Sequence, residues 1–130
     1  MSLQGPARAL TRETLEALAE RYLQALVSSD PSALPTTDHV AYSENDQLLT
    51  LGEGAWATVT GAGTYRHLLA DPEAGRVALL GTVRENGVPA ILDVCLTLDG
   101  DRIARVESLL IRDALGARRL EAMGAPEDVW

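Results

Sequence analysis

Residues 76–112, RVALLGTVRENGVPAILDVCLTLDGDRIARVESLLIR, decide how this chain of 130 residues folds. Asn86-Gly87 and Asp99-Gly100 each separate two apolar runs, and such pairs mark two-residue hairpin loops because the central positions favour positive φ. Three strands, 76–85, 88–98 and 101–112, therefore form an antiparallel meander. With Asn86-Gly87 as the loop, Val83 faces Ala90, Gly81 faces Leu92, Leu79 faces Val94 and Val77 faces Leu96, all apolar. The opposite face sets Arg84, Thr82, Leu80, Ala78 and Arg76 against Pro89, Ile91, Asp93, Cys95 and Thr97, a mixed surface. The apolar set packs inward, since one face of such a sheet meets the core.

Pairing through Asp99-Gly100 brings Glu107 opposite Leu92 and in line with Gly81, where a missing side chain leaves room. A carboxylate on an apolar face loses its water, which lifts its pKa toward acid/base use. The strand has a second reading, because Ala104, Val106, Ser108 and Leu110 form a face without charge. A bulge or a three-residue loop reverses the parity and sends Glu107 outward, beside Asp93.

Upstream, Thr11 is a helix N-cap, and Leu15, Leu18, Tyr22, Leu23, Leu26 and Val27 repeat with the period of one helical face. Ser28-Ser29-Asp30-Pro31 ends that helix. Residues 39–44 read as a strand, Asn45-Asp46 as a turn into 47–51, and 52–63, with four glycines, as a loop or single helical turn around Trp56. Residues 64–70 read as a further strand. The tail 113–130 has weak helical character near Ala117, and 1–10 is a second tail. Helices first and a curved antiparallel sheet after them give an α+β fold in one domain, 1–130.

The rings place a candidate site. Phenylalanine is absent, and Tyr42, Trp56 and Tyr65 lie between the two histidines, His39 and His67. Rings with polar tips suit a lined cavity. His67 shares a strand face with Tyr65, and Tyr22 lies on the apolar stripe of the first helix.

Composition excludes several chemistries. A formal charge of −8 disfavours nucleic acid, which needs a basic stripe. All 11 basic residues are arginine, so a lysine Schiff base is not available. Gly52-Glu53-Gly54-Ala55-Trp56-Ala57 matches a dinucleotide fingerprint in letters, but no helix long enough to receive a pyrophosphate follows it. The histidines lack ligand spacing and Cys95 is alone, so neither a metal nor an intrachain disulfide is expected. No G-x-S-x-G elbow is present. With no membrane-length apolar run and no signal-like segment in residues 1–10, the expectation is a cytoplasmic protein away from membranes.

With these elements in place, residues 11–112 resemble the nuclear transport factor 2-like superfamily, which includes SnoaL-like polyketide cyclases and ketosteroid isomerase. The resemblance rests on Glu44-Asn45, Leu51-Gly52-Glu53-Gly54-Ala55-Trp56, Tyr65-Arg66 and Asp71-Pro72-Glu73-Ala74-Gly75. It implies a cone-shaped domain with a pocket between helices and sheet, cofactor-independent chemistry where there is chemistry, and a homodimer through the outer sheet face. The functional expectation is an acid/base isomerase, dehydratase or cyclase for a small apolar oxygenated molecule, with Glu107 as base and Tyr65 and His67 as donors. Tyr22, Tyr42, Asn45, Trp56 and Arg66 would contact the substrate. The alternative is a ligand-binding or dimerisation domain without catalysis.

Overall fold

The Asn86-Gly87 loop sets the geometry of the strands around it. The computed structural model describes residues 10–124. It runs α1 (Arg12–Val27), a 3₁₀ turn (Pro31–Ala33), β1 (Thr36–Glu44), β2 (Gln47–Leu49), α2 (Ala55–Thr58), β3 (Val59–Asp71), β4 (Arg76–Glu85), β5 (Val88–Asp99), β6 (Arg102–Ile111) and α3 (Ala114–Met123). Of the expected tails, residues 1–9 and 125–130 lie outside the described residues. Asn86 (φ 48°) and Gly87 (φ 83°) take the left-handed conformation, and all the expected β4–β5 pairs form, Val83 with Ala90 and Gly81 with Leu92 among them.

The β5–β6 hairpin departs from the first of the two readings. Its loop is Gly100-Asp101, because Asp99 pairs with Arg102, and a shift of the loop by one residue leaves the parity of facing residues unchanged. Parity reverses one step later: Leu98 pairs with Ile103 but Thr97 with Arg105, so Ala104 is an extra, bulged residue. Glu107 therefore stands opposite Cys95 on the outer face, not opposite Leu92. The physical reason is charge. The bulged register buries Val106, Ser108 and Leu110, whereas the unbulged one would bury Arg105 and Glu107 without partners.

The strands follow the order β2-β1-β6-β5-β4-β3. All neighbours are antiparallel except β1 and β6, which run parallel. Asn45 (φ 51°) and Asp46 (φ 65°) make the β1–β2 turn. The Asn45 side chain also extends the β1–β6 seam, its Oδ1 accepting from the Leu110 N–H at 2.8 Å and its Nδ2 donating to the Leu110 carbonyl at 3.3 Å.

Helix α1 lays Leu15, Ala19, Tyr22, Leu23 and Leu26 against the inner sheet face, where Leu23, Val83, Leu96, Ile103 and Val106 are completely buried. Each such aliphatic side chain contributes about 1.5–3 kcal/mol by leaving water. A capping box between Thr11 and Thr14 starts the helix. At its end the Ser29 N–H bonds to the Leu26 carbonyl and the Asp30 N–H to that of Ala25, with Ser29 at φ 54° in the place glycine usually takes.

Helix α3 folds back on the outer face. Its Ala117 is completely buried, and its Glu121 accepts from the Thr82 hydroxyl at 2.6 Å, the Thr64 N–H at 3.0 Å and Arg84 at 3.1 Å. Those bonds hold the Glu121 carboxyl down at about 2, with Arg84 the largest influence and Thr82 next.

Candidate functional site

Alternation along β1 turns Tyr42 and Glu44 inward, and the parallel seam sets them beside Val106 and Ser108 of β6. A carboxylate thereby enters an otherwise apolar interior, with only 8% of the Glu44 surface accessible. Its Oε1 accepts from the Tyr42 hydroxyl at 2.8 Å and from the Ala55 N–H at 2.7 Å. Gly54 (φ 66°) makes the second bond possible: a Cβ there would lie 2.5 Å from Glu44 Oε1, so only glycine lets the backbone approach. The two halves of the sequence motif, Glu44-Asn45 and Gly52-Glu53-Gly54-Ala55-Trp56, are thus one clasp that joins β1 to α2.

Trp56 reaches from that clasp into the cone and is 1% exposed. Its ring meets Tyr22 of α1 edge to face, with centroids 5.4 Å apart and planes at 82°. Its Nε1–H is buried and makes no hydrogen bond of good geometry, although the Tyr22 and Tyr42 hydroxyls lie close enough to feel it as a donor. The Ser108 hydroxyl donates to the Ser43 carbonyl at 2.9 Å. Burial raises the pKa of Tyr22 well above the ordinary phenol value, and burial followed by the bond to Glu44 raises that of Tyr42. Both phenols stay protonated, so the interior offers hydroxyl and indole donors beside one carboxylate.

The expected site residues separate by face. Tyr22, Tyr42 and Trp56 come together inside, whereas Tyr65, the third ring of the expected cluster, does not join them. Arg66 lies at the margin, donating through Nε to Glu20 of α1 at 3.0 Å and through Nη1 to the Gly63 carbonyl at 2.8 Å. Asn45 is spent on the seam described above. Tyr65 and His67 do share a face, but it is the outer one: His67 pairs with Leu80, and the Tyr65 N–H donates to Thr82 Oγ1. The slip has a local cause, because β3 is bulged between Ala62 and Arg66 and begins at Val59, inside the stretch expected to be loop. Glu107 is half exposed, 4.0 Å from Arg76, and although it pairs with Ser43, next to Tyr42, it faces the opposite side of the sheet from the Tyr42 ring. Glu44 is the interior carboxylate, and the Tyr42-x-Glu44 spacing on a strand was the signal for it.

The cavities open at the surface, and one of about 270 Å³ over the β1–β6 seam is lined in part by Tyr42, Val106 and Glu107. One of about 260 Å³ opens between the first turns of α1 and the β5–β6 loop, lined by Leu10, Leu15, Leu18, Arg21 and Leu98. Another of about 300 Å³ runs over the outer face beside Asp93, Cys95 and Glu107. Among the described residues no group of three or more His, Cys, Asp or Glu is arranged to hold a metal, and no helix is long and apolar enough to cross a membrane.

Three helices on a curved, unclosed, mixed six-stranded sheet with the first helix in its concavity define a cystatin-like α+β fold, the fold that the resemblance implied. No family model matches the chain, and no curated protein matches it. Solved structures do. AclR from Streptomyces galilaeus, a candidate hydroxylase, is 17% identical with a TM-score of 0.60, covering 92% of this chain and 93% of that one. A candidate ketosteroid isomerase from Kribbella flavida is 17% identical with a TM-score of 0.59, covering 78% of this chain and 80% of that one. A de novo designed protein with a curved β-sheet is 16% identical with a TM-score of 0.61, covering 88% of this chain and 97% of that one. At such identities the likeness is one of fold, and fold alone does not imply activity.

Proposed function

We propose that the chain is a small-molecule-binding domain that takes a neutral, largely apolar, oxygenated ligand inside the cone. The observation that carries this reading is the unpartnered indole N–H of Trp56, buried beside the Tyr22 ring in a region that also holds the Tyr42–Glu44 pair. A buried donor without an acceptor costs about 1–3 kcal/mol, a cost that a ligand oxygen removes. Thermal-shift screening of small ketones, lactones and aromatic acids tests it. Neutral carbonyl compounds should raise the melting temperature by mass action, and a response confined to acids would sink the reading.

Acid/base catalysis is the second reading, and Glu44 favours it. The carboxylate sits where Glu107 was expected to act, with the Tyr42 hydroxyl 2.8 Å away and no cofactor required. Tyr42 and Tyr22 would be the donors, whereas Glu107, Tyr65 and His67 lie on the outer face, Tyr65 buried there and only the other two open to a partner. For any turnover the screen uncovers, Glu44→Gln should abolish the pH-dependent rate while leaving binding in place. An unaltered pH profile would rule Glu44 out as the base. The outer face is also the proposed homodimer surface, for it exposes Leu69, Leu109 and Ile111. The free thiol of Cys95 agrees with a reducing cytoplasm.

A further inference from the structure

We propose that Trp56 is a movable plug, whose indole occupies the space the ligand takes and leaves it when residues 52–57 swing outward from Thr58 and Val59, which stay bonded to the end of β4. This rests on the cone being the binding site. Trp56 is the largest fully buried side chain, yet it is carried by the four-residue α2 rather than by a long element. The chain enters that turn through Gly52 (φ 113°) and Gly54 (φ 66°). A hinge needs only a few such positions to absorb a change of backbone angle.

What holds the turn down on its Trp56 side is a pair of polar clasps. The Ala55 N–H donates to Glu44 at 2.7 Å, and the Ser29 hydroxyl donates to the Trp56 carbonyl at 2.7 Å. Ser29 is informative because it stands at φ 54°, where glycine is the unstrained choice. The hydroxyl is what serine adds there, and its partner is Trp56. The indole N–H makes no hydrogen bond of good geometry there, only a close approach to the Tyr22 and Tyr42 hydroxyls, so a ligand acceptor would offer those donors a better partner. Beneath the ring lie groups an apolar core does not call for: the Tyr22 and Tyr42 phenols and the Glu44 carboxylate.

The plug also sets the ligand's dimensions. A flat, uncharged bicyclic ring bearing one acceptor oxygen replaces the indole and meets those donors, whereas an anion of equal size would have to shed its water to enter.

Native-state hydrogen exchange on the full chain in rising urea tests the motion. The hydrogen-bonded amides of Ala55 and Ala57 should exchange through an opening insensitive to urea, at least about tenfold faster than the amides of β4 and β5. Ser29→Gly, which suits the backbone and removes the clasp, should speed those two amides about threefold or more and leave β4 and β5 unchanged. Exchange of all these amides together, with one urea dependence, would overturn the plug. Ligand entry is read separately in a Trp130→Phe background, where Trp56 is the remaining indole. Added 1-indanone should shift its emission to the red while indane-1-carboxylate does not. Stabilisation by 1-indanone without a shift overturns the plug. A local opening with no response to 1-indanone counts instead against the cone as the binding site.

Discussion

The two faces of β4, β5 and β6 come from the same residues taken alternately, and they differ in kind. Inward stand Val77, Leu79, Val83, Ala90, Leu92, Val94, Leu96, Val106 and Leu110, each at most 3% exposed. Outward stand Arg76, Asp93, Cys95, Arg105 and Glu107, the last with its side chain 49% accessible. One inserted residue, Ala104, decides which of two neighbouring acidic or hydroxyl groups on β6 belongs to the interior: Ser108 enters and Glu107 leaves. Face, and not residue type, therefore selects the chemistry available to a ligand, and the interior carboxylate is supplied from another strand by Glu44.

Putting a carboxylate on the wrong face breaks this division most severely. Val106→Glu, one residue from Glu107 but completely buried, should cost about 3–5 kcal/mol, the cost of an uncompensated buried charge. Urea unfolding measures it, and a variant as stable as the parent would show that face does not decide where a charge is tolerated.

Acid should loosen the outer face first. The Glu121 carboxyl titrates at about 2 when folded, below the ordinary 4.5. Its stabilising contribution is therefore complete above the unfolded value and is lost as pH falls from 4.5 toward 2. Glu85, held below its ordinary value by Arg112, has the same sign and leaves a residual slope. Glu121→Gln should cost about 1–3 kcal/mol at neutral pH, the worth of its charged hydrogen bonds, and flatten the urea midpoint between pH 4.5 and 2.5. An acid limb as steep as the parent's would place the titration elsewhere.

Glu107→Gln should do least. With a half-exposed side chain and Arg76 at 4.0 Å, the substitution should change stability by less than about 0.5 kcal/mol. A larger loss would mean that the outer carboxylate carries structural weight that its exposure does not suggest.

The same contrast explains what the amino-acid sequence disclosed. Asn86-Gly87 specified the β4–β5 pairing residue by residue because both positions take the left-handed conformation the letters imply. Asp99-Gly100 located a hairpin but not its parity, since a bulge at Ala104 has no turn residue to announce it. Of the expected ring cluster Tyr42 and Trp56 meet in the core, joined by Tyr22 whose place on the helical stripe was legible, while Tyr65 falls outside that core. Glu44 was not, for its companions are Gly54 and Ala55, eleven residues along in the case of the Ala55 donor, and hydrophobic patterning discounts a charge at an inward position. Helix α3 was seen as weak helix, but its placement depends on Thr82, Arg84 and Thr64 meeting Glu121 across the sheet.

The parallel seam between β1 and β6 has a consequence for the order in which the chain assembles. Tyr42 and Glu44 are made early, but the strand that backs them, with Val106 and Ser108, is made some sixty residues later. The meander of β3 to β6 closes through short hairpins, whereas the β1 seam has to wait for a long loop to close, the slow kind of contact. During synthesis the interior carboxylate and its tyrosine stay wet until Leu110 arrives to take the two hydrogen bonds of Asn45. The polar heart of the cone is thus the last part of the sheet to be enclosed.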